Sequence, residues 1–288
     1  MSFREYARFH GVKLKAGAGE ALAAFGSTLS AQLRNLLPGY LERGGFIAAQ
    51  QLSLADGISL LQDYAYRTVN MDVVERYEVR NPVVAARFLT CCLASSGREL
   101  SINKFAAQFK SVGVPTSRAT LSNLLSYYQE AYLVFELHEF TRALAQNTRS
   151  VSKVYAIDPG MLMAFSPSGT RDVAQRLETA AFAKLRRCNE SPRHGLLSRH
   201  LLSEAGAIRH KVDFVLGDSL MGEAYQLVQV TCDMTDAKTR QREIEGLRAG
   251  MRSLGVPEGW IITMDEEDEI TSEDGLIHIV PAWKWLLE

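Results

Sequence analysis

Asp213 is the one acid in the apolar run Lys211-Val-Asp-Phe-Val-Leu216, and Gln229 and Thr231 end a second such run, Tyr225-Gln-Leu-Val-Gln-Val-Thr231. The polar, glycine-containing chain between them is about the length of a hairpin connection, so the two runs read as adjacent strands. Glu178 lies upstream on Arg171–Arg187, where apolar residues recur at helical spacing. Carboxylates at strand ends are hard oxygen ligands suited to Mg²⁺, and Gln229 can add a carbonyl oxygen but no charge. Thr231 offers a hydroxyl and no cation. The same residues also have a plainer reading. Ion-pair networks hold buried acids too, so Asp213 and Glu178 can bond to backbone or pair with Arg187 or Lys211.

Other reactive side chains point less clearly to chemistry. Lys238, Arg240 and Arg242 follow the second run on a helix. They read either as basic residues reaching the sheet end or as a solvated face alternating with Glu243 and Glu245. Asp265-Glu-Glu-Asp-Glu269 packs like charges so tightly that a solvated loop is a simpler reading than a metal cluster. His194, His200 and His210 do not share zinc-ligand spacing with Cys188. No G-x-x-x-x-G-K-[ST] occurs, and Gly17-Ala-Gly19 has Leu22 where a dinucleotide fingerprint needs its third glycine. ATP hydrolysis by this chain alone is therefore not expected.

Composition sets outer bounds. The 288 residues are 47% hydrophobic and 23% charged, ordinary values for a chain that buries a core. A formal net charge of −1 gives no global basic field for nucleic acid, although a local patch is compatible with it. Cys91, Cys92, Cys188 and Cys232 form no C-x-x-C pair, which suits reduced cytoplasmic thiols. The start, Met1-Ser-Phe-Arg-Glu-Tyr, has no signal-peptide core, and no stretch reaches the length of about 18 apolar residues needed to span a membrane.

Three segments are expected. Residues 1–81 read as helical, with apolar spacing over Ala21–Leu36 and Leu54–Val74 and a glycine break at Gly44-Gly45. Residues 82–168 run helix, short helix, turn, helix and β-ribbon, the order of a winged helix-turn-helix. In that reading Ser117, Arg118, Thr120, Ser122 and Asn123 meet a groove of DNA, while Arg142, Arg149 and Lys153 meet phosphates. Leu121, Leu124, Leu125, Tyr127 and Tyr128 on the same helix are core or interface residues, and a protein partner is an equal alternative. Residues 169–288 alternate strands with one long helix, Thr235–Leu254, as a mixed α/β sheet does.

The Asp213 and Gln229–Thr231 runs resemble the core of PD-(D/E)XK nucleases. The second strand's acid and lysine are replaced here by Gln229 and Thr231. Over nearly its whole length the chain is also similar to the C-terminal domain of unknown function that follows the ATPase domain of many bacterial and archaeal AAA-type ATPases. The matching pieces include Ser2-Phe-Arg-Glu-Tyr6, Gly44-Gly45-Phe46, Asp72 with Arg76, Lys153-Val-Tyr-Ala-Ile-Asp158-Pro-Gly160, Leu177-Glu178 and Pro281-Ala-Trp-Lys-Trp-Leu286. By that resemblance the chain starts where the ATPase domain would end, and an AAA-type ATPase is an expected partner. It also implies a degenerate catalytic site at Glu178, Asp213, Gln229 and Thr231, with Glu178 and Asp213 as the Mg²⁺ ligands of any residual activity. The expected fold is α+β or α/β: a helical segment with a winged helix, then a restriction-endonuclease-like mixed sheet flanked by helices. The expected function is a non-catalytic nucleic-acid- or protein-binding regulatory module. A Mg²⁺-dependent nuclease with an altered site and an oligomerisation module of an ATPase are the alternatives.

Overall fold

The computed structural model describes residues 1–14, 26–141, 151–166, 173–188, 197–204 and 207–287. Side-chain caps start many of the helices, each satisfying a first-turn N–H that has no partner within the helix. Ser2 and Glu5 form a capping box at α1 (Phe3–Phe9). After α2 (Ser27–Arg43) and the single turn α3 (Ile47–Gln50), Ser53 caps α4 (Leu54–Thr68), which runs into a π-helical segment, Val69–Glu75. Asn81 caps α5 (Pro82–Ala94), with Pro82 in the first turn where its missing N–H costs nothing. β1 (Arg98–Glu99) follows, and then Ser101 caps α6 (Ile102–Ser111) and Ser117 caps α7 (Arg118–Glu130). β2 (Val134–Leu137) and β3 (Lys153–Ala156) precede α8 (Pro159–Phe165), capped by Asp158, and α9 (Val173–Cys188). β4 (Leu197–Glu204), β5 (Ala207–Asp218) and β6 (Glu223–Val230) come next. α10 (Ala237–Leu254) runs from the Asp236 cap to Gly255 in the left-handed region, and β7 (Glu258–Thr263), β8 (Asp268–Ser272), β9 (Gly275–Pro281) and α11 (Ala282–Trp285) close the chain.

The chain divides into two units. One comprises Glu42–Leu137 and Val151–Thr179, the other Met1–Leu41, His138–Ser150 and Ala180–Glu288. The expected helical segment 1–81 is thus shared between them, and the division in the later chain falls within α9 rather than before it.

In the helical unit a three-stranded antiparallel sheet has the order β1-β3-β2. The core joins Leu61, Val69 and Val73 to Phe88 and Leu89 of α5 and to Leu121 and Tyr128 of α7. Tyr128 keeps its hydroxyl satisfied by donating to the Ala85 carbonyl at 2.6 Å. Gly44 and Asp158 show why two glycine-containing pieces far apart in sequence belong together. Asp158 Oδ2 accepts the Gly45 N–H at 2.7 Å and Oδ1 accepts the Gly160 N–H at 2.8 Å. Gly44 has φ +71°, and a β-carbon there would stand 1.7 Å from Asp158 Oδ1. Backbone conformation and contact both demand glycine.

The sheet unit holds six strands in the order β4-β5-β6-β7-β9-β8. β4, β5 and β6 are antiparallel, β6, β7 and β9 parallel, and β8 antiparallel to β9. α10 makes the crossover that parallel β6 and β7 require. Its apolar residues Leu247 and Met251 pack with Val212, Leu227, Ile261 and Ile277. A β-carbon on Gly250 would meet Val212 Cγ2 at 2.5 Å, so the helix approaches the sheet there as only glycine permits. Phe182 of α9 packs on Phe214 with ring centroids 6.3 Å apart. The acidic run is a largely exposed loop leading into a strand, as its packed like charges predict, and its acids also meet partners. Asp265 bonds Arg34 at 2.5 Å and Trp283 Nε1 at 3.2 Å, and Glu266 accepts the Met234 N–H at 2.7 Å. Glu267 pairs with Lys284, Asp268 with Arg240 at 2.5 Å, and Glu269 with His278 at 3.1 Å. The run leads into β8, an edge strand hidden in the sequence by its charge. No described helix is long and apolar enough to cross a membrane.

The Gly44–Asp158 junction gives the first prediction. Gly44→Ala adds a steric clash to left-handed strain and should cost about 3 kcal/mol or more. Gly113→Ala has a similar φ of +75° but nothing within 4 Å of the new methyl, so it should cost only about 1–2 kcal/mol of strain. Urea midpoints of the two variants measure the difference; equal midpoints would remove the junction's importance.

Candidate functional site

Asp213 sits in the middle of β5 and is only 2% exposed. Buried without bonds, its carboxylate would be very costly, and the sheet supplies partners. Oδ2 accepts the Val230 N–H at 3.2 Å, and Lys211 Nζ stands 3.3 Å from Oδ1. Gln229 lies across on β6, 3% exposed. Its carbonyl accepts the Asp213 N–H at 3.1 Å, and its NH₂ donates to Glu243 Oε2 at 2.7 Å. Glu243 is 7% exposed, and its other oxygen takes two bonds from Arg242, Nε at 3.1 Å and Nη2 at 2.6 Å. Gln229 is therefore an adaptor between a backbone donor on one side and a carboxylate on the other. A glutamate in its place has no proton for Glu243.

The expected second-strand residues are thus split in role. Gln229 is part of the buried network. Thr231 lies one residue past β6, where its backbone N–H donates to the Ile262 carbonyl at 2.9 Å. Glu243 was read as one member of an alternating charged face, yet it belongs with Gly246, Leu247, Gly250 and Met251 on the buried side of α10. The signal was available: an acid at the i−3 and i−4 positions of the stripe that packs on the sheet. Arg240, offered as a basic residue reaching the sheet end, bonds Glu266 and Asp268 instead.

Glu178 belongs to the helical unit. Its Oε1 accepts from Lys153 Nζ at 2.8 Å and from the Tyr155 hydroxyl at 2.6 Å. Lys153 is 8% exposed and Tyr155 fully buried, so the ammonium expected on DNA phosphates neutralises the carboxylate expected on Mg²⁺. Beside them Ser96 Oγ and Thr179 Oγ1 lie 2.8 Å apart, and Ser96 also accepts the Ala156 N–H at 2.9 Å. Among the described residues no group of three His, Cys, Asp or Glu side chains could hold a metal ion. Burial pushes the Cys91 and Cys92 thiols up, away from the reactive thiolate.

On α7, Arg118 and Asn123 are exposed, as are Ser117, Thr120 and Ser122, while Leu121, Leu124, Leu125 and Tyr128 are buried. Arg142, Arg149 and His194 lie outside the described residues.

The chain belongs to the family described as Domain of unknown function (DUF8612), whose profile matches residues 34–187. That span contains Gly44, Lys153, Tyr155, Asp158 and Glu178 and stops before Asp213. A relative is uncharacterized protein MJ1544 of Methanocaldococcus jannaschii, 29% identical over 297 residues. The alignment covers 100% of this chain and 62% of the relative, so the chain spans about three fifths of that protein's length. No solved structure matches.

The Gln229 adaptor gives the second prediction. Gln229→Glu should lose about 2 kcal/mol, because a buried donor is replaced by a charge facing Glu243. The loss should shrink as pH falls or as Mg²⁺ is added, since a proton or a cation supplies what the amide gave. Gln229→Leu lacks the acid and should not recover with Mg²⁺. Thermal melts of both variants across pH and Mg²⁺ test this; identical responses would overturn it.

Proposed function

We propose that this chain is a non-catalytic nucleic-acid-binding module, a winged helix joined to a nuclease-like sheet whose former site is closed by its own side chains. The observation that carries the reading is the Gln229 adaptor. It ties β5 to Glu243 of α10, while Lys211 and Arg242 stand against the two acids. A nuclease of this type needs carboxylates open to Mg²⁺ and a cation beside the water. Here the acids are engaged by the chain, and Thr231 brings no charge.

The binding half of the proposal rests on the helical unit. The order α5, β1, α6, α7, β2, β3, with strand order β1-β3-β2, supports reading this part of the unit as a winged helix. α7 then takes the place of the groove-reading helix, presenting Ser117, Arg118, Thr120, Ser122 and Asn123. The resemblance to regions that follow AAA-type ATPase domains makes such an ATPase the proposed partner, with this chain supplying the nucleic-acid contact.

Duplex binding is expected at low salt and should weaken with a shallow log–log slope, about −2 to −3, because only a few cations are placed to neutralise phosphates. Arg118→Ala should reduce that slope by about 1. Plasmid and oligonucleotide substrates with Mg²⁺ or Mn²⁺ should stay intact. Cleavage that vanishes in Asp213→Ala would instead make the protein a nuclease, and absence of binding to any duplex, fork or single strand would remove nucleic acid as its ligand.

A further inference from the structure

Beside α7 the helical unit carries a groove of about 460 Å³. It is walled by Tyr77 and Tyr127 and rimmed by Arg80, Ser117, Thr120 and Asn123. The two rings stack at 3.8 Å with 3° between their planes. The Arg76 guanidinium lies 5.3 Å from the Tyr77 ring, and Glu130 takes the Tyr77 hydroxyl bond, fixing the wall from its other side. Among the described residues, the Arg80 and Asn123 side chains have no hydrogen-bond partner. Ser117 and Thr120 bond each other at 2.8 Å, leaving acceptor capacity on both hydroxyls. The lining includes a guanidinium and no carboxylate.

The approach to this groove is locally unusual backbone. The π-helical segment Val69–Glu75 leads into it, and Glu78 holds φ +49°, a left-handed conformation costly for a glutamate. π-helical turns and such outliers concentrate at ligand sites, because strain persists only where surrounding structure enforces it.

We infer that this groove receives a single unpaired nucleotide, its base against the tyrosine wall and its phosphate on Arg80. The inference deepens the nucleic-acid reading above and rests on it. The volume is within the range of small-molecule sites. The two rings turn one face each toward the other and Tyr77 also carries Arg76, so a base is offered the remaining face of Tyr127, which suits any base because every base has a π-face. Asn123 supplies both donor and acceptor for a base edge, and Arg80 the forked donor that suits phosphate. A continuous duplex keeps its bases paired and cannot fill such a pocket, so the chain selects strand ends, overhangs or forks over blunt duplex.

Anisotropy titrations with a blunt duplex, the same duplex carrying a short 3′ or 5′ overhang, a single strand and free mononucleotide test the selection. The overhang or single strand should bind about tenfold tighter than blunt duplex, the scale of one stacked base or one charge-assisted bond. Arg80→Ala, exposed and outside the α7 reading face, should erase most of that preference while leaving the affinity for blunt duplex and the melting temperature unchanged, and Asn123→Ala should erase the preference together with part of the duplex affinity. Lys238→Ala, on α10, is the control expected to change neither. Free mononucleotide competing at millimolar concentration, and failing to compete with Arg80→Ala, would place the ligand chemistry in the groove itself. Competition equal to that of a phosphopeptide would overturn the nucleotide assignment. Equal affinity for blunt and overhanging duplexes, or a preference that survives both variants, would overturn the groove while leaving the binding module standing. Loss of all nucleic-acid binding would take both.

Discussion

Three side chains able to carry or demand charge lie almost without solvent at one place in the sheet unit, and the strands around them are organised by the need to satisfy them. An unpaired polar group in that position costs about 1–3 kcal/mol, and more if it is ionised. Asp213 takes a backbone N–H from Val230, so β5 and β6 are linked by a side-chain bond as well as by their ladder. Gln229 then carries the chain of bonds from β5 to α10 through Glu243. The crossover helix is consequently pinned by polar contact at Glu243 and by apolar contact at Leu247 and Met251. Neither alone fixes its rotation: the apolar stripe tolerates small turns of the helix, whereas a 2.7 Å bond to a buried amide does not.

The helical unit solves the same problem with different groups. Asp158 gathers two backbone N–H groups from Gly45 and Gly160 while capping α8. Glu178 gathers an ammonium and a phenol, and Ser96 a hydroxyl and a backbone N–H. Much of the resemblance that the sequence carries falls on these residues, which accounts for its reach along the chain. What these residues have in common is satisfied burial, which is indifferent to whether a site carries catalysis.

The sequence makes elements legible where local rules dominate. Ser101, Ser117, Asn81 with Pro82, and Asp236 mark helix starts within about two residues, because capping is a local bond. The hairpin at Asp213 and Gln229 is readable from its two apolar runs and the turn between them. β8 is not, since its strand propensity is masked by Asp268 and Glu269, whose charges are neutralised by Arg240 and His278 from other elements. Glu178 is legible in part: its helix is plain from periodicity, but its partner Lys153 lies 25 residues away, and residue type alone does not distinguish an ion pair from a metal ligand. Glu243 is the opposite case, a residue whose helical phase placed it inward while its charge argued for the surface.

Ion pairing also decides where any anionic ligand can be held. Arg34, Arg240, Arg242, Arg252 and Lys284 are each matched to a carboxylate within the sheet unit. Lys153 is matched within the helical unit. A net charge of −1 therefore conceals an uneven distribution of available cations. Lys104 and Lys110 on α6, Arg118 on α7, and Arg76 and Arg80 beside it are exposed and have no carboxylate partner among the described residues. Non-specific affinity scales with the number of phosphates neutralised, and beside the α7 groove the described cations are Arg76, Arg80 and Arg118. Recognition built on such a surface has to draw on short-range contacts, the stacking and hydrogen bonding of a base, for what electrostatics does not supply. This is the physical reason that the proposed nucleic-acid selectivity is assigned to a pocket beside α7 rather than to a basic stripe.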